Sequence, residues 1–146
     1  MSDVMTRAQR SANMSHIRGR GTLPEIELRR RLWKKGLRYR LHHKHLTGRP
    51  DLAFISSRVA VFVDGCFWHS CPKHRIWPKN RATFWREKLE GNARRDRFVR
   101  RELESRGWQV VRVWEHEVAD TPDRAVVRIR RAIQAGDSKR LQRHER

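Results

Sequence analysis

Gly48-Arg-Pro-Asp-Leu-Ala-Phe-Ile-Ser-Ser-Arg-Val-Ala-Val-Phe-Val-Asp64 is the stretch that decides the fold. Asp51 to Ile55 and Val59 to Val63 are apolar runs of strand length. Ser56-Ser57-Arg58 separates them, and the pattern predicts a β-hairpin. In a hairpin turning at 56–58, the start of one strand lies beside the end of the other. Asp51 and Asp64 then fall at the same edge of the sheet. Carboxylates so placed suit Mg²⁺, which takes one or two of them and keeps several waters. The competing reading is a pair of strand-end acids neutralised by arginines, with Arg49 adjacent.

Upstream of the hairpin, Thr22-Leu-Pro-Glu25 has the marks of a helix start: a capping hydroxyl, a proline in the first turn and an acid three residues on. Ile26, Leu28, Leu32 and Trp33 form its expected apolar stripe, and Gly36 ends it. Leu37 to His42 alternates polar and apolar residues and is expected as a half-buried strand. Downstream, residues 65–81 are irregular, and a loop of that length in a compact domain is usually functional. Thr83 to Arg106 reads as a long helix closed by Gly107. Trp108 to Trp114 reads as a central strand. Pro122 to Ala135 reads as a final helix, with Ala125, Val126, Ile129 and Ile133 on one face. The order α-β-β-β-α-β-α predicts an α/β fold with a mixed central sheet flanked by helices. Residues 1–21 are expected as a basic arm, 22–135 as the folded domain and 136–146 as a basic tail.

The chain has 146 residues, the size of one domain. Lys and Arg total 35 against 16 acidic residues, a formal charge of +19, so the expected partner is a polyanion. Arginine outnumbers lysine, which suits bidentate contacts to phosphates and bases. Nucleic acid leads, and an anionic membrane surface is the weaker second. No run approaches the ~20 apolar residues of a membrane span. Residues 1–20 lack the apolar core of a signal peptide. The expectation is an intracellular, cytoplasmic, nucleoid-associated protein without a membrane partner. In that compartment the two cysteines suit a metal better than a disulfide.

Other residue sets carry chemistry. Glu25 shares a helix face with Leu28 and Leu32, and Asp96 shares one with Leu89 and Leu103, so both acids are expected to point inward. Buried carboxylates are rare unless paired or bound to metal. His69, five residues beyond Asp64, has the unperturbed pKa of about 6.5 that suits proton transfer. Cys66, Cys71 and His74, joined by His116 after the last strand, could close a tetrahedral zinc site, and His69 competes as the fourth ligand. Phe67, Trp68, Trp77 and Trp85 crowd the basic loop. Neighbours on a strand point oppositely, so Phe67 and Trp68 cannot both enter one core. An exposed aromatic amid arginines can stack on bases or wedge between base pairs.

These motifs resemble those of the very short patch repair (Vsr) endonucleases, which share the restriction-endonuclease-like fold. The matching residues are Arg10-Ser-Ala-Asn-Met-Ser15, Gly48-Arg-Pro-Asp51, Phe62-Val-Asp-Gly-Cys-Phe-Trp-His69, Phe84-Trp-Arg-Glu-Lys88, Asn92 with Arg95-Asp96, Gly107-Trp108 and Val113-Trp-Glu115. They run in family order over about residues 7–118. The resemblance implies Mg²⁺-dependent nicking of one strand 5′ to the thymine of a T:G mismatch. It implies Asp51 and the backbone carbonyl of Val63 as Mg²⁺ ligands, His69 as general base, Glu25 as a holder of water at the ion and Asp96 as support. Phe67, Trp68 and Trp85 become the wedge, and the N-terminal arm clasps the DNA.

Three positions depart from the family pattern. Asp64 stands where a second histidine is usual, which moves the site towards a two-carboxylate Mg²⁺ centre. The cysteine loop is shorter. His116 stands where the late zinc ligand is commonly cysteine, so the set Cys66, Cys71, His74 and His116 is fitted to this chain rather than transferred. The expected partner is mismatched double-stranded DNA, bound by a monomer, with companion repair proteins as a further class. Two rival readings stay open: a nuclease of the same fold with another DNA target, and a non-catalytic zinc-stabilised DNA-binding module.

Overall fold

The computed structural model describes residues 22–65 and 82–145. Helix α1, Leu23–Lys34, begins where expected: Thr22 Oγ1 accepts the Glu25 N–H at 3.4 Å, satisfying one of the donors that a helix start leaves open. Gly36 follows its end at φ +80°. The buried face is Glu25, Leu28 and Leu32. Trp33, expected on that stripe, is instead half exposed, with the Arg38 guanidinium 3.7 Å above its ring. At one residue past Leu32 it has rotated about 100° off the buried face.

Strands β1 (Arg40–Leu41), β2 (Leu52–Phe54), β3 (Val59–Asp64) and β4 (Gln109–Trp114) form one sheet in that order. β1–β2 and β2–β3 are antiparallel, and β3–β4 is parallel. The expected hairpin is present, with Phe54 opposite Val59 and Leu52 opposite Val61. The strand expected over 37–42 shrinks to two paired residues at the sheet edge, because His42 turns to φ +46° and leaves the extended region.

The parallel β3–β4 pair requires a crossover. Helix α2, Ala82–Ser105, supplies its helical part. It packs on one face of the sheet, where Val99 and Leu103 meet Ala60, Phe62 and Val110. The other face is covered by α1 together with α3 (Glu115–Asp120) and α4 (Pro122–His144). There Leu28, Leu32, Val118, Ala125, Val126, Ile129 and Ile133 pack on Leu52, Phe54, Val59, Val61 and Val113. β3 reads as an unbroken apolar run because both of its faces are covered.

The short α3 was not expected, and α4 continues nine residues past its expected end at Ala135, through the segment read as a tail. Nothing between 136 and 144 breaks a helix except Gly136. That glycine is required by contact: a Cβ there would collide with the Ser57 carbonyl, and Ser57 Oγ donates to Asp137 at 2.7 Å. The second half of α4 is thus docked on the β2–β3 turn. The four-stranded mixed sheet between helical layers fits a restriction-endonuclease-like fold. The arm expected at 1–21 lies outside the described residues.

Candidate active site

The loop before β2 is built to deliver Asp51. Gly48 (φ +79°) and Arg49 (φ +48°) bend the chain, and Pro50 is fully buried. A Cβ on Gly48 would stand 2.5 Å from Val99 Cγ1 of α2, so only glycine lets the loop lie this close. The β2–β3 register, continued past Leu52, puts Pro50 opposite Val63. The Val63 N–H is taken by a side chain: Asp51 Oδ2 accepts it at 2.8 Å. The hairpin therefore brings Asp51 to the end of β3, as its spacing implied.

Glu25 reaches the same place from α1. It is 2% exposed, its Oε1 lies 3.1 Å from Arg29 Nη2, and His42 Nε2 is 3.3 Å away. His42 Nδ1 lies 3.8 Å from Asp51 Oδ1. One donor atom from each of Glu25, His42 and Asp51 falls within 4.8 Å of the others. Burial raises the Asp51 pKa to about 6, with the Glu25 and Asp64 charges adding to the shift. The Val63 N–H and Arg29 act the other way and are outweighed. A carboxyl destabilised as an anion by burial and by other acids gains from a nearby cation. The donor set therefore fits a divalent ion, with oxygens from Glu25 and Asp51.

Asp64 is held differently. It shares the α2 side of β3 with Phe62, and Arg112 Nη1 contacts both of its oxygens, at 2.9 and 3.1 Å. Arg112 Nη2 lies 3.5 Å from Asp96 Oδ1, and the guanidinium covers the Phe62 ring at 4.3 Å. Asp64 is 5% exposed, so this is a buried pair rather than a surface one. Among the described residues, these contacts of the acids fall into two groupings. Glu25, His42 and Asp51 converge on one another, while Asp64 and Asp96 converge on Arg112. Asp96 is partly exposed rather than fully inward.

Arg112 and His42 are the residues the sequence reading missed. Arg112 did leave a signal: it is the one charged residue in the Trp108–Trp114 run, and a charge in a strand expected to be central needs a partner. Among the described residues that strand is instead the last of the sheet, paired only with β3, and its residues alternate between buried and partly exposed. His42 left none.

Trp85 lies in the first turns of α2, half-buried, edge-on to Phe84 with centroids 5.2 Å apart. The His116 ring stacks on Trp114 at 6.4 Å and 15°. Cys66, Phe67, Trp68, His69, Cys71, His74 and Trp77 lie outside the described residues. The zinc set, the general base and most of the wedge are therefore not placed. Exposed arginines run along α2 (Arg94, Arg97, Arg101) and, on the opposite side of the sheet, along α4 (Arg130, Arg131, Arg143), side chains suited to phosphates. Among the described residues, no helix is long and apolar enough to cross a membrane.

Comparison with known proteins gives a family match. The family model described as DNA mismatch endonuclease Vsr matches residues 2–75. The Type II nicking enzyme V.NaeI of Lentzea aerocolonigenes is 46% identical over 125 residues, covering 82% of this chain and 75% of that relative. The Type II nicking enzyme V.HpaIIP of Haemophilus parainfluenzae is 38% identical over 136 residues, covering 90% and 95%. The DNA mismatch endonuclease Vsr of Escherichia coli (strain K12) is 40% identical over 117 residues, covering 79% and 74%.

Proposed function

The chain belongs to the DNA mismatch endonuclease Vsr family, a family of nicking DNA endonucleases, and from that premise we propose that it uses Mg²⁺ to nick one strand 5′ to the thymine of a T:G mismatch. The observation that carries this reading is the partly buried Asp51 carboxylate, tied to the Val63 N–H and drawn up against Glu25.

Hydrolysis forms a bond from water oxygen to phosphorus and releases an ester oxygen. The residues divide that work. Asp51 and Glu25, with the Val63 carbonyl, are the ligands we assign to the ion. Mg²⁺, when bound, polarises the phosphate and offsets charge on the leaving oxygen. Asp64 adds a fixed negative charge beside Asp51, tempered by Arg112. Asp96 fixes the Arg112 guanidinium from α2. His69 takes the proton of the attacking water. Phe67, Trp68 and Trp85 enter the stack at the mismatch, where unstacking costs least. The arginines bind phosphates without reading sequence and set an affinity that falls with salt. A zinc ion on Cys66, Cys71, His74 and His116 would tie the 65–81 segment to the end of β4.

The names of V.NaeI and V.HpaIIP as Type II nicking enzymes favour a second reading, in which recognition includes a defined base sequence around the nick. One panel decides between them. Matched, T:G and other mismatched duplexes in several sequence contexts are incubated with Mg²⁺ or chelator. Nicking confined to T:G duplexes in Mg²⁺ supports the first reading. Equal nicking of matched and mismatched duplexes overturns it.

A further inference from the structure

His42 is the group in this site that the two-carboxylate reading leaves without work. Its place is not accidental to the fold. The His42 N–H donates to the Asp51 carbonyl at 3.2 Å, closing the β1–β2 pairing one residue beyond Leu41. The backbone then turns to φ +46°, a conformation uncommon outside glycine and often found where function over-determines the chain. The turn carries the imidazole inward, to 16% exposure, between a carboxylate of α1 and one of the hairpin.

We propose that His42 supplies a nitrogen donor to the Glu25–Asp51 centre, so that this chain holds Mn²⁺ more tightly than Mg²⁺ although either ion serves the reaction. The inference rests on the metal-dependent reading above and refines which ion the site prefers. The donor atoms support it. His42 lies 3.3 Å from Glu25, and all three groups offer atoms within 4.8 Å of one another. Around an octahedral ion with bonds of ~2.1 Å, neighbouring donors stand ~3.0 Å apart and opposite ones ~4.2 Å. Closing the present set onto an ion requires side-chain movements of tenths of an ångström to about one ångström. Mg²⁺ sites are built from oxygen and water; Mn²⁺ shares that preference for oxygen but, as a first-row transition ion, gains more than Mg²⁺ from one nitrogen donor. A nitrogen donor therefore adds affinity for Mn²⁺ and little for Mg²⁺. The rival role is a brace, with Nε2 towards Glu25 and Nδ1 towards Asp51, and it makes a different prediction.

The test uses the full chain without DNA. Calorimetric titration with Mn²⁺ and with Mg²⁺ is paired with pulsed electron paramagnetic resonance of the Mn²⁺ form, which detects nitrogen bonded directly to the ion. The wild-type protein should show one directly coupled imidazole nitrogen. In His42→Asn, chosen because asparagine tolerates positive φ, that coupling should vanish. Mn²⁺ binding should weaken by about tenfold or more while Mg²⁺ binding changes by less than about threefold. His42→Gln is read the same way if the first variant proves unstable. No nitrogen coupling in the wild type, coupling that survives in the variants, or equal losses for both ions would overturn the proposal. Failure of the underlying reading looks different: nicking would persist in chelator, and Asp51→Asn would bind both ions as the wild type does.

Discussion

The Val63 amide donates to Asp51 Oδ2 at 2.8 Å, and this bond orients the acid on which the proposed chemistry turns. It spans the hairpin between the residue just before β2 and the residue before Asp64. The bond consumes one oxygen's best direction and leaves Oδ1 facing His42 and Glu25. An acid merely placed at a strand end would swing into solvent. This one is held by the ladder itself.

Asp51→Ala should abolish Mg²⁺-dependent nicking while leaving DNA binding equal or tighter, because removing an anion beside the phosphate relieves repulsion. Gel nicking and binding titrations on one T:G duplex check both halves. Substantial nicking by the variant would sink the assignment.

Asp51 makes stability and activity depend oppositely on pH. Its folded pKa, about 6, lies above the unfolded value of 3.8. The protonated form is favoured in the folded state, so its contribution is full below about pH 4 and is lost as pH rises through 6. The ion-free protein should lose about 2 kcal/mol from this group between pH 4 and 7. Asp51→Asn should remove that pH dependence in denaturant titrations. Nicking needs the anion and should rise through pH 6 at limiting Mg²⁺, with the midpoint moving lower as Mg²⁺ saturates.

Arg112→Met should destabilise the protein, by up to about 3–5 kcal/mol, the usual cost of removing one member of a buried ion pair. Asp64 at 6% side-chain exposure has little water to turn to. Arg112→Lys should recover only part, since an ammonium cannot contact both Asp64 oxygens, reach Asp96 and lie flat on Phe62. Urea unfolding of the single variants and of Asp64→Asn/Arg112→Met measures the coupling. Strictly additive losses would mean the pair is incidental.

Gly48→Ala should cost at least about 1 kcal/mol and reduce nicking out of proportion to that loss. The added methyl meets Val99 in a backbone conformation that disfavours it, and relief requires moving the loop that carries Asp51. Gly36→Ala is the control: it shares a positive φ but meets nothing within 4 Å, and it should leave activity of the folded protein intact.

Protein purified without chelator should carry one zinc, and His116→Ala should weaken zinc retention and activity together. Elemental analysis gives the count. Absence of zinc, or a Cys66–Cys71 disulfide, would remove the site from the mechanism.

The sequence by itself determined what is local. The two apolar runs flank a short turn, which in the structure is Ile55–Arg58, so strand type, pairing and the common edge of Asp51 and Asp64 follow from neighbouring residues. The Thr22 cap, the inward Glu25 and the closing Gly107 are equally short-range. Tertiary structure decided where each charge finds its partner. Asp64 and Arg112 are 48 residues apart, and no periodicity says that one arginine among many will cross between parallel strands to take an acid read as a metal ligand. His42 became part of the site only when the fold set Glu25 of α1 beside it. The extra length of α4 depended on Gly136 fitting against Ser57, a contact between elements distant in the chain. Pattern and propensity act over a few residues, whereas the field and shape around a buried charge are set by whichever elements the fold packs against it.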